Sequence, residues 1–394
     1  MNKQEYMETA EHTILHTYNR FPLVLEKGEG VYLYDTDGKK YLDFAAGIAV
    51  CGLGYNHPEY TAAIHAQVDK LTHTSNLFYN TAAGSAAAKL EQVSGMDRVF
   101  FTNSGAEAIE GALKIAKKYG LTKVGSPDYE IIAMHHSFHG RTIGALSVTG
   151  NPHYQEDFQP LLPGIRFAEY NNLDSVKTLI NEKTCAILLE GVQGEGGIYP
   201  PTEEFITGIR KLCDEHELLM IMDEIQCGMG RTGYMFSYQK YAIEPDVVAV
   251  AKALGGGLPV GAFLCKEAAA NLVPGDHGST YGGNPLVCAG AEAVLDIFAK
   301  EQIVENAREV GGYLYEQLDA LVEEYEIVTA HRGIGLMQGL VVSVPPASII
   351  NKALEKGLII ISAGSDVLRF VPPLIITREH VDEMIAILRE CLEA

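Results

Sequence analysis

The sequence predicts an α/β protein with a large, mostly parallel sheet flanked by helices and a smaller α+β unit after it. Three observations carry that expectation. Short apolar runs alternate with amphipathic helical patterns from about Arg98 onward. The runs are continuously apolar rather than alternating, as strands covered on both faces are. The two ends of the chain depart from this alternation and read as hairpins and isolated strands among helices.

In chain order, GEGVYLYDTDGKKYLDFAAG near the N-terminus reads as a hairpin turning at Asp37-Gly38. The strand candidates that follow are RVFFT (98–102), EIIAM (130–134), CAILLE (185–190), LLMIMD (218–223), VVAVA (247–251) and VGAFL (260–264). Helical patterns lie between several of them: EAIEGALKIAKKYG (107–120), LDSVKTLIN (173–181) and TEEFITGIRKLCDEHE (202–217). After Asn284 a long helical region precedes EIVTAHRGIGLMQGLVVSV and SDVLRFVPPLIIT, both read as strand regions, separated and followed by helices. We expect residues 1–55 to pack with the small unit, 56–288 to form the large unit and 289–394 the small one.

Bulk properties narrow the function. A net charge of −21 over 394 residues argues against a nucleic-acid partner, which needs a basic face. No apolar stretch approaches the length of a membrane span, and MNKQEYMETAEH is too polar for a signal sequence. Seven cysteines without a C-x-x-C pair fit a reducing, cytoplasmic setting better than a disulfide framework.

Ligands of open α/β sheets bind beyond the carboxyl ends of the strands, so the residues after each strand are the candidate site. RVFFT is followed by Asn103-Ser104-Gly105-Ala106-Glu107. Ser104 and Glu107 form a capping-box pattern, and Gly105 and Ala106 leave a helix N-terminus open to a phosphate. EIIAM runs into HHSFHGRT, where Phe138 offers a stacking face and Arg141 an anion clamp. The histidines there lack companion carboxylates or cysteines, which argues against a metal. CAILLE ends at Glu190 and leads into GVQGEGG. LLMIMDE ends in Asp223-Glu224, with Gln226 close behind. Two acids after an apolar run also fit an ATPase, but the chain has no G-x-x-x-x-G-K-[ST] loop. VVAVA is followed by Lys252, then Gly255–Gly257.

Each of these has an ordinary reading alone: a capped helix, a surface loop, a solvated strand end. Pyridoxal 5′-phosphate needs all of them together: an anion site, a face for a flat ring, an acid for the ring nitrogen and an amine for the aldehyde. The amine must be neutral to attack, and desolvation at an apolar strand end lowers a lysine from its usual value of about 10.4.

In ordered motifs the chain resembles the class III (fold-type I) pyridoxal-phosphate aminotransferases nearly end to end: GEGVYLYDTDGKKYLDF, NSGAEA, SFHGRT, VQGEGG, DEIQCGMGRTG, AKALGGGLPVGA, GSTYGGNPL and LRFVPP. The resemblance implies a large domain with a seven-stranded sheet. It implies a ping-pong reaction through a covalent link between Lys252 and the cofactor aldehyde, with Asp223 on the ring nitrogen and Gln226 on the ring oxygen. Ser104, Gly105 and Ala106 would hold the phosphate, and Phe138 would lie against the ring. Thr280 would reach the site of a second subunit in a homodimer, and Ser279 beside it would contact substrate. Arg369 would grip the α-carboxylate of glutamate and 2-oxoglutarate, Glu190 would pair with Arg369 when an ω-amine enters, and Arg141 would bind the far carboxylate. TYNRFPLVL points to the branch that moves the δ-amino group of N2-acetylornithine to 2-oxoglutarate, a step of arginine biosynthesis. Ornithine, succinylornithine, 4-aminobutyrate and acylated diaminopimelate or lysine precursors stay open as alternatives. Cys227, Ile109 and Gly191 depart from the family pattern without removing a chemical group from the mechanism.

Overall fold

The computed structural model describes residues 2–393. Its central sheet has seven strands: β1 (Arg98–Thr102), β2 (Glu130–Met134), β3 (Ile165–Ala168), β4 (Thr184–Glu190), β5 (Leu219–Asp223), β6 (Val247–Val250) and β7 (Gly261–Cys265). The spatial order is β1-β7-β6-β5-β4-β2-β3. All neighbours are parallel except β7, which runs antiparallel to both β6 and β1.

The continuous apolar runs have the expected cause, since every residue of β4, β5, β6 and β7 is buried. Successive side chains serve opposite faces. Ala186 and Leu188 of β4 join one core with Ala108, Ala112 and Ala116 of the helix Gly105–Val124. Ile187 and Leu189 join the other, with Phe205, Ile206 and Ile209 of the helix Glu203–His216. That second helix is capped by Thr202, whose hydroxyl accepts from the Phe205 amide at 3.2 Å.

Four sequence expectations need correction. The strand β3 was not anticipated, because it is a four-residue edge strand interrupted by an exposed arginine, Arg166. The helix expected at 107–120 runs from Gly105 to Val124. Its capping box is half closed: the Ser104 hydroxyl accepts from the Glu107 amide, but the Glu107 carboxylate reaches back to Asn103 N and Nδ2, both at 2.8 Å. SDVLRFVPPLIIT is a strand only over Val367–Phe370. Pro372 and Pro373 cannot donate to a ladder, and the neighbouring amides of Val371 and Leu374 donate instead to Phe44 O and Gly52 O, each at 2.8 Å.

Those last bonds tie the chain ends together. The N-terminal hairpin turns at Asp37-Gly38, where Gly38 has φ 81. Its strand Lys40–Asp43 pairs in parallel with Leu358–Ile359. A second small sheet joins Val328–Ile334, Met337–Val342, Val367–Phe370 and Ile361–Ala363 in antiparallel order. Among the described residues all seven cysteines are free thiols, and no helix is long and apolar enough to cross a membrane.

The helix Gly105–Val124 lies so close to the sheet that a Cβ at Gly111 would overlap the Phe263 ring of β7. Gly111→Val is therefore expected to lower stability by about 1–3 kcal/mol through overpacking, read from urea unfolding midpoints. An unchanged midpoint would contradict this close approach.

Candidate active site

A cavity of about 440 Å³ opens at the carboxyl ends of the central strands. Its wall includes Ser104, Gly105 and Ala106 after β1, Phe138 and Arg141 after β2, and Glu190 at the end of β4. Asp223 ends β5, Gln226 follows it, and Lys252 follows β6 on the same wall. Nine of the sequence-derived candidates thus meet in one place. Arg369 joins them through Gln226, whose Oε1 accepts from Nη1 at 3.1 Å. Ser279 stands one step back, its Oγ accepting from Asn103 Nδ2 at 3.3 Å, and Thr280 is exposed on the adjoining loop.

Lys252 begins a short 3-10 turn and has φ 47, a left-handed conformation uncommon for a residue with a side chain. Gly256 and Gly257 also take positive φ, and Gly257 opens directly on the cavity. The chain thus reverses sharply into antiparallel β7. Burial lowers the pKa of the Lys252 amine. The anion of Glu195 opposes the shift, Arg369 reinforces it, and Asp223 and Glu190 oppose it. Burial and the arginine prevail, so the amine gives up its proton more readily than a free lysine does.

Asp223 is buried, and both carboxylate oxygens are engaged. Oδ1 accepts from the Ile225 amide at 2.9 Å, and Oδ2 lies 2.7 Å from His139 Nδ1. His139 has no exposed side-chain surface, and its amide donates to Thr149 Oγ1 at 2.9 Å. The sequence weighed His139 only as one of three possible metal ligands. Its signal was its place in the loop after β2, next to the cavity residue Phe138. The neighbouring His135 turns elsewhere, toward Glu169 at 3.9 Å.

The acid paired with Arg369 is Glu195, not Glu190. Arg369 Nη1 donates to Glu195 Oε1 at 2.5 Å and Nη2 to Oε2 at 3.3 Å, a two-pronged contact with a largely buried guanidinium. Burial raises Glu195, but the charge and hydrogen bonds of Arg369 outweigh it and hold the carboxyl below its ordinary value. Glu190 is committed differently, accepting from the Phe138 and Gly194 amides, each at 3.0 Å. Burial pushes its pKa up to about 7, with His139 opposing and Asp223 adding to the rise. As the last residue of β4, Glu190 braces the loops on either side of it. Glu195 lies beyond the glycine turn, where one sequence gives no indication of which acid returns to the arginine.

At the open end, the helix Gly105–Val124 starts beside Gly105 and Ala106, leaving its first amides for an anion. A Cβ at Gly105 would come within 2.9 Å of Ile225, so this glycine also keeps the loop after Asp223 in place. The donor set suits pyridoxal phosphate: anion-binding amides, an aromatic face at Phe138, a carboxylate held by two partners, and a desolvated amine.

A profile of the family Aminotransferase class-III matches residues 13–392. The acetylornithine aminotransferase of Gloeobacter violaceus is 50% identical, over 97% of this chain and 96% of that protein. Among solved structures, an acetylornithine aminotransferase from Elizabethkingia anophelis superposes with a TM-score of 0.90 at 32% identity, covering 100% of this chain and 99% of the other. An ornithine aminotransferase from Toxoplasma gondii, described with partial occupancy of PLP at its active site, gives 0.96 at 30% identity over 100% and 94%. With this match over nearly its whole length and the seven-stranded sheet beneath the site, the chain belongs to the class III aminotransferases.

Proposed function

We propose that this enzyme uses pyridoxal 5′-phosphate to move the δ-amino group of N2-acetylornithine to 2-oxoglutarate, giving N-acetylglutamate 5-semialdehyde and glutamate. The observation that carries the reading is the desolvated Lys252 amine sharing one cavity with the Asp223–His139 pair. The names of the relatives above support the choice of substrate. The cofactor supplies an aldehyde that takes up amino groups and a protonated ring that accepts electrons as a C–H bond breaks.

The chain's own residues divide the remaining work. Lys252 Nζ, whose burial favours loss of its proton, would hold the cofactor through its aldehyde and would serve as the base for the proton on the carbon bearing the transferred amine. Asp223, oriented by the Ile225 amide and His139, would keep a proton on the ring nitrogen. Ser104, Gly105 and Ala106 would hold the phosphate, Phe138 would offer its face to the ring and Gln226 would serve the ring oxygen. With an amine donor, Arg369 stays paired with Glu195; a diacid takes the guanidinium from it. The sequence assigned this exchange to Glu190, and the geometry transfers the proposal to Glu195.

A cytoplasmic homodimer is part of the same reading. Leu77, Phe78, Tyr79 and Tyr281 are exposed. Asn76 joins their two loops by donating to Ser279 O at 3.1 Å and Gly282 O at 2.9 Å. An apolar patch of this kind suits a second copy, with Thr280 of each subunit reaching the other's site. The division at 55 and 288 is likewise retained as a proposal, supported by the pairing of Leu42 with Leu358.

The purified enzyme should be yellow, and borohydride should fix the cofactor to Lys252 in the wild type and not in Lys252→Ala. In half-reactions N2-acetylornithine should outpace ornithine and 4-aminobutyrate; a clear preference for either of the others would overturn the substrate assignment. Arg369→Leu should raise KM for 2-oxoglutarate by about tenfold or more, as loss of a charge-assisted pair does, with a smaller effect on the amine half-reaction. Equal losses in both halves would contradict the exchange with Glu195.

A further inference from the structure

Arg141 lies on the wall of two cavities. One contains Lys252; the other is a cleft of about 450 Å³ lined by Thr17, Tyr18, Ile143, Leu146, Tyr154 and Phe158 beside Arg141 itself. The guanidinium carbon sits 3.9 Å from the centre of the Tyr154 ring and 5.4 Å from that of Phe138. The two rings meet edge to face, 6.0 Å apart at 85°. Among the described residues no hydrogen bond or ion pair engages Arg141, in contrast to Arg369, which is bound to Glu195 and Gln226. Stacking uses the face of a guanidinium and leaves its in-plane N–H donors free for a carboxylate. Tyr154 therefore orients the arginine without competing for its donors.

Among the described residues no side chain lining the cleft is acidic, and Leu146, Ile143 and Phe158 make much of it apolar. A free α-ammonium group placed there would face the guanidinium with no counter-ion. An acylated α-nitrogen carries no charge, and its acyl carbons find apolar walls.

We propose that this cleft is the acyl subsite of the enzyme, and that Tyr154 is the positioning residue that aims Arg141 at the carboxylate beside the acylated nitrogen. The inference rests on the proposed transamination of an acylated ω-amine. It adds the reason why acylated substrate is accepted over the free diamino acid: repulsion by Arg141 where no acid compensates.

The test is steady-state and half-reaction kinetics on the holoenzyme with N2-acetylornithine, ornithine and glutamate. Tyr154→Leu should raise KM for N2-acetylornithine and glutamate by about three- to thirtyfold, the range of a cation–π contact. Its kcat and cofactor spectrum should be little changed, and Tyr154→Phe should recover most of the loss. Phe158→Glu, at a position 58% exposed, places an acid in the cleft. It should shift the ratio of kcat/KM for ornithine over N2-acetylornithine upward by about threefold or more, as a partly exposed ion pair allows, while KM for glutamate rises because the new acid competes for Arg141. Unchanged KM in Tyr154→Leu, or a loss that Tyr154→Phe does not recover, overturns the positioning role. An unchanged ratio in Phe158→Glu, with the cofactor spectrum intact, overturns the acyl subsite. The glutamate arm keeps the two readings distinguishable. If the wild type transaminates glutamate but not N2-acetylornithine, the proposed substrate and the acyl subsite fail together. The Arg141 clamp is still read from glutamate.

Discussion

The cavity depends on letting one buried amine give up its proton readily among carboxylates and an arginine. Lys252 shares its surroundings with Glu190, Glu195, Asp223 and Arg369, and each carboxylate there would favour a protonated amine. Each acid instead has a partner of its own. Asp223 has His139 and the Ile225 amide, Glu190 has two backbone amides, and Glu195 has Arg369. With their charge directed elsewhere, desolvation is the largest influence on the lysine and lowers its pKa. Removing one member of a buried ion pair costs about 3–5 kcal/mol. An acid that releases Arg369 must therefore be replaced by another carboxylate, which a diacid substrate brings and a monoamine does not.

The fold makes this possible by bringing strand ends together. Parallel β2, β4, β5 and β6 deliver the HHSFHGRT loop, Glu190, Asp223 and Lys252 to one edge of the sheet. The left-handed conformation at Lys252 and the glycines after it turn the chain back as antiparallel β7. The C-terminal sheet contributes Arg369, and a second buried arginine, Arg231, ties that region to the loop after Asp223. Arg231 Nη1 donates to Leu336 O at 3.0 Å and Pro372 O at 2.5 Å. Pro372 follows the strand that carries Arg369, so this tie anchors Arg369 to the loop after Asp223.

Much of this was legible in the sequence because continuous apolar runs mark buried strands, and the chemistry follows each run directly. Six of the seven central strands and the meeting of Lys252 with Asp223 come from that logic, and the Asp37-Gly38 turn comes from its hairpin signal. The exceptions share a cause. The strand β3 is short and partly exposed, so it carries no buried-strand pattern. His139 is a buried partner of Asp223, but beside two other histidines it reads as a metal candidate or a loop residue. Choosing Glu195 over Glu190 requires the path of the glycine turn between them, which spacing alone does not give. The Tyr154–Arg141 stack joins residues from separate loop segments.

The central claim is that the protein, before any cofactor chemistry, already holds Lys252 as a readily neutral amine. The direct measurement is the rate at which cofactor-free enzyme captures pyridoxal phosphate as a function of pH, compared with Glu195→Gln. Capture needs the neutral amine, so the rate should rise through a midpoint clearly below the value of about 10.4 for a free lysine. Removing the Glu195 anion, which holds the amine up, should move that midpoint lower still. A midpoint at or above the free-lysine value, or an upward shift in Glu195→Gln, would contradict the account.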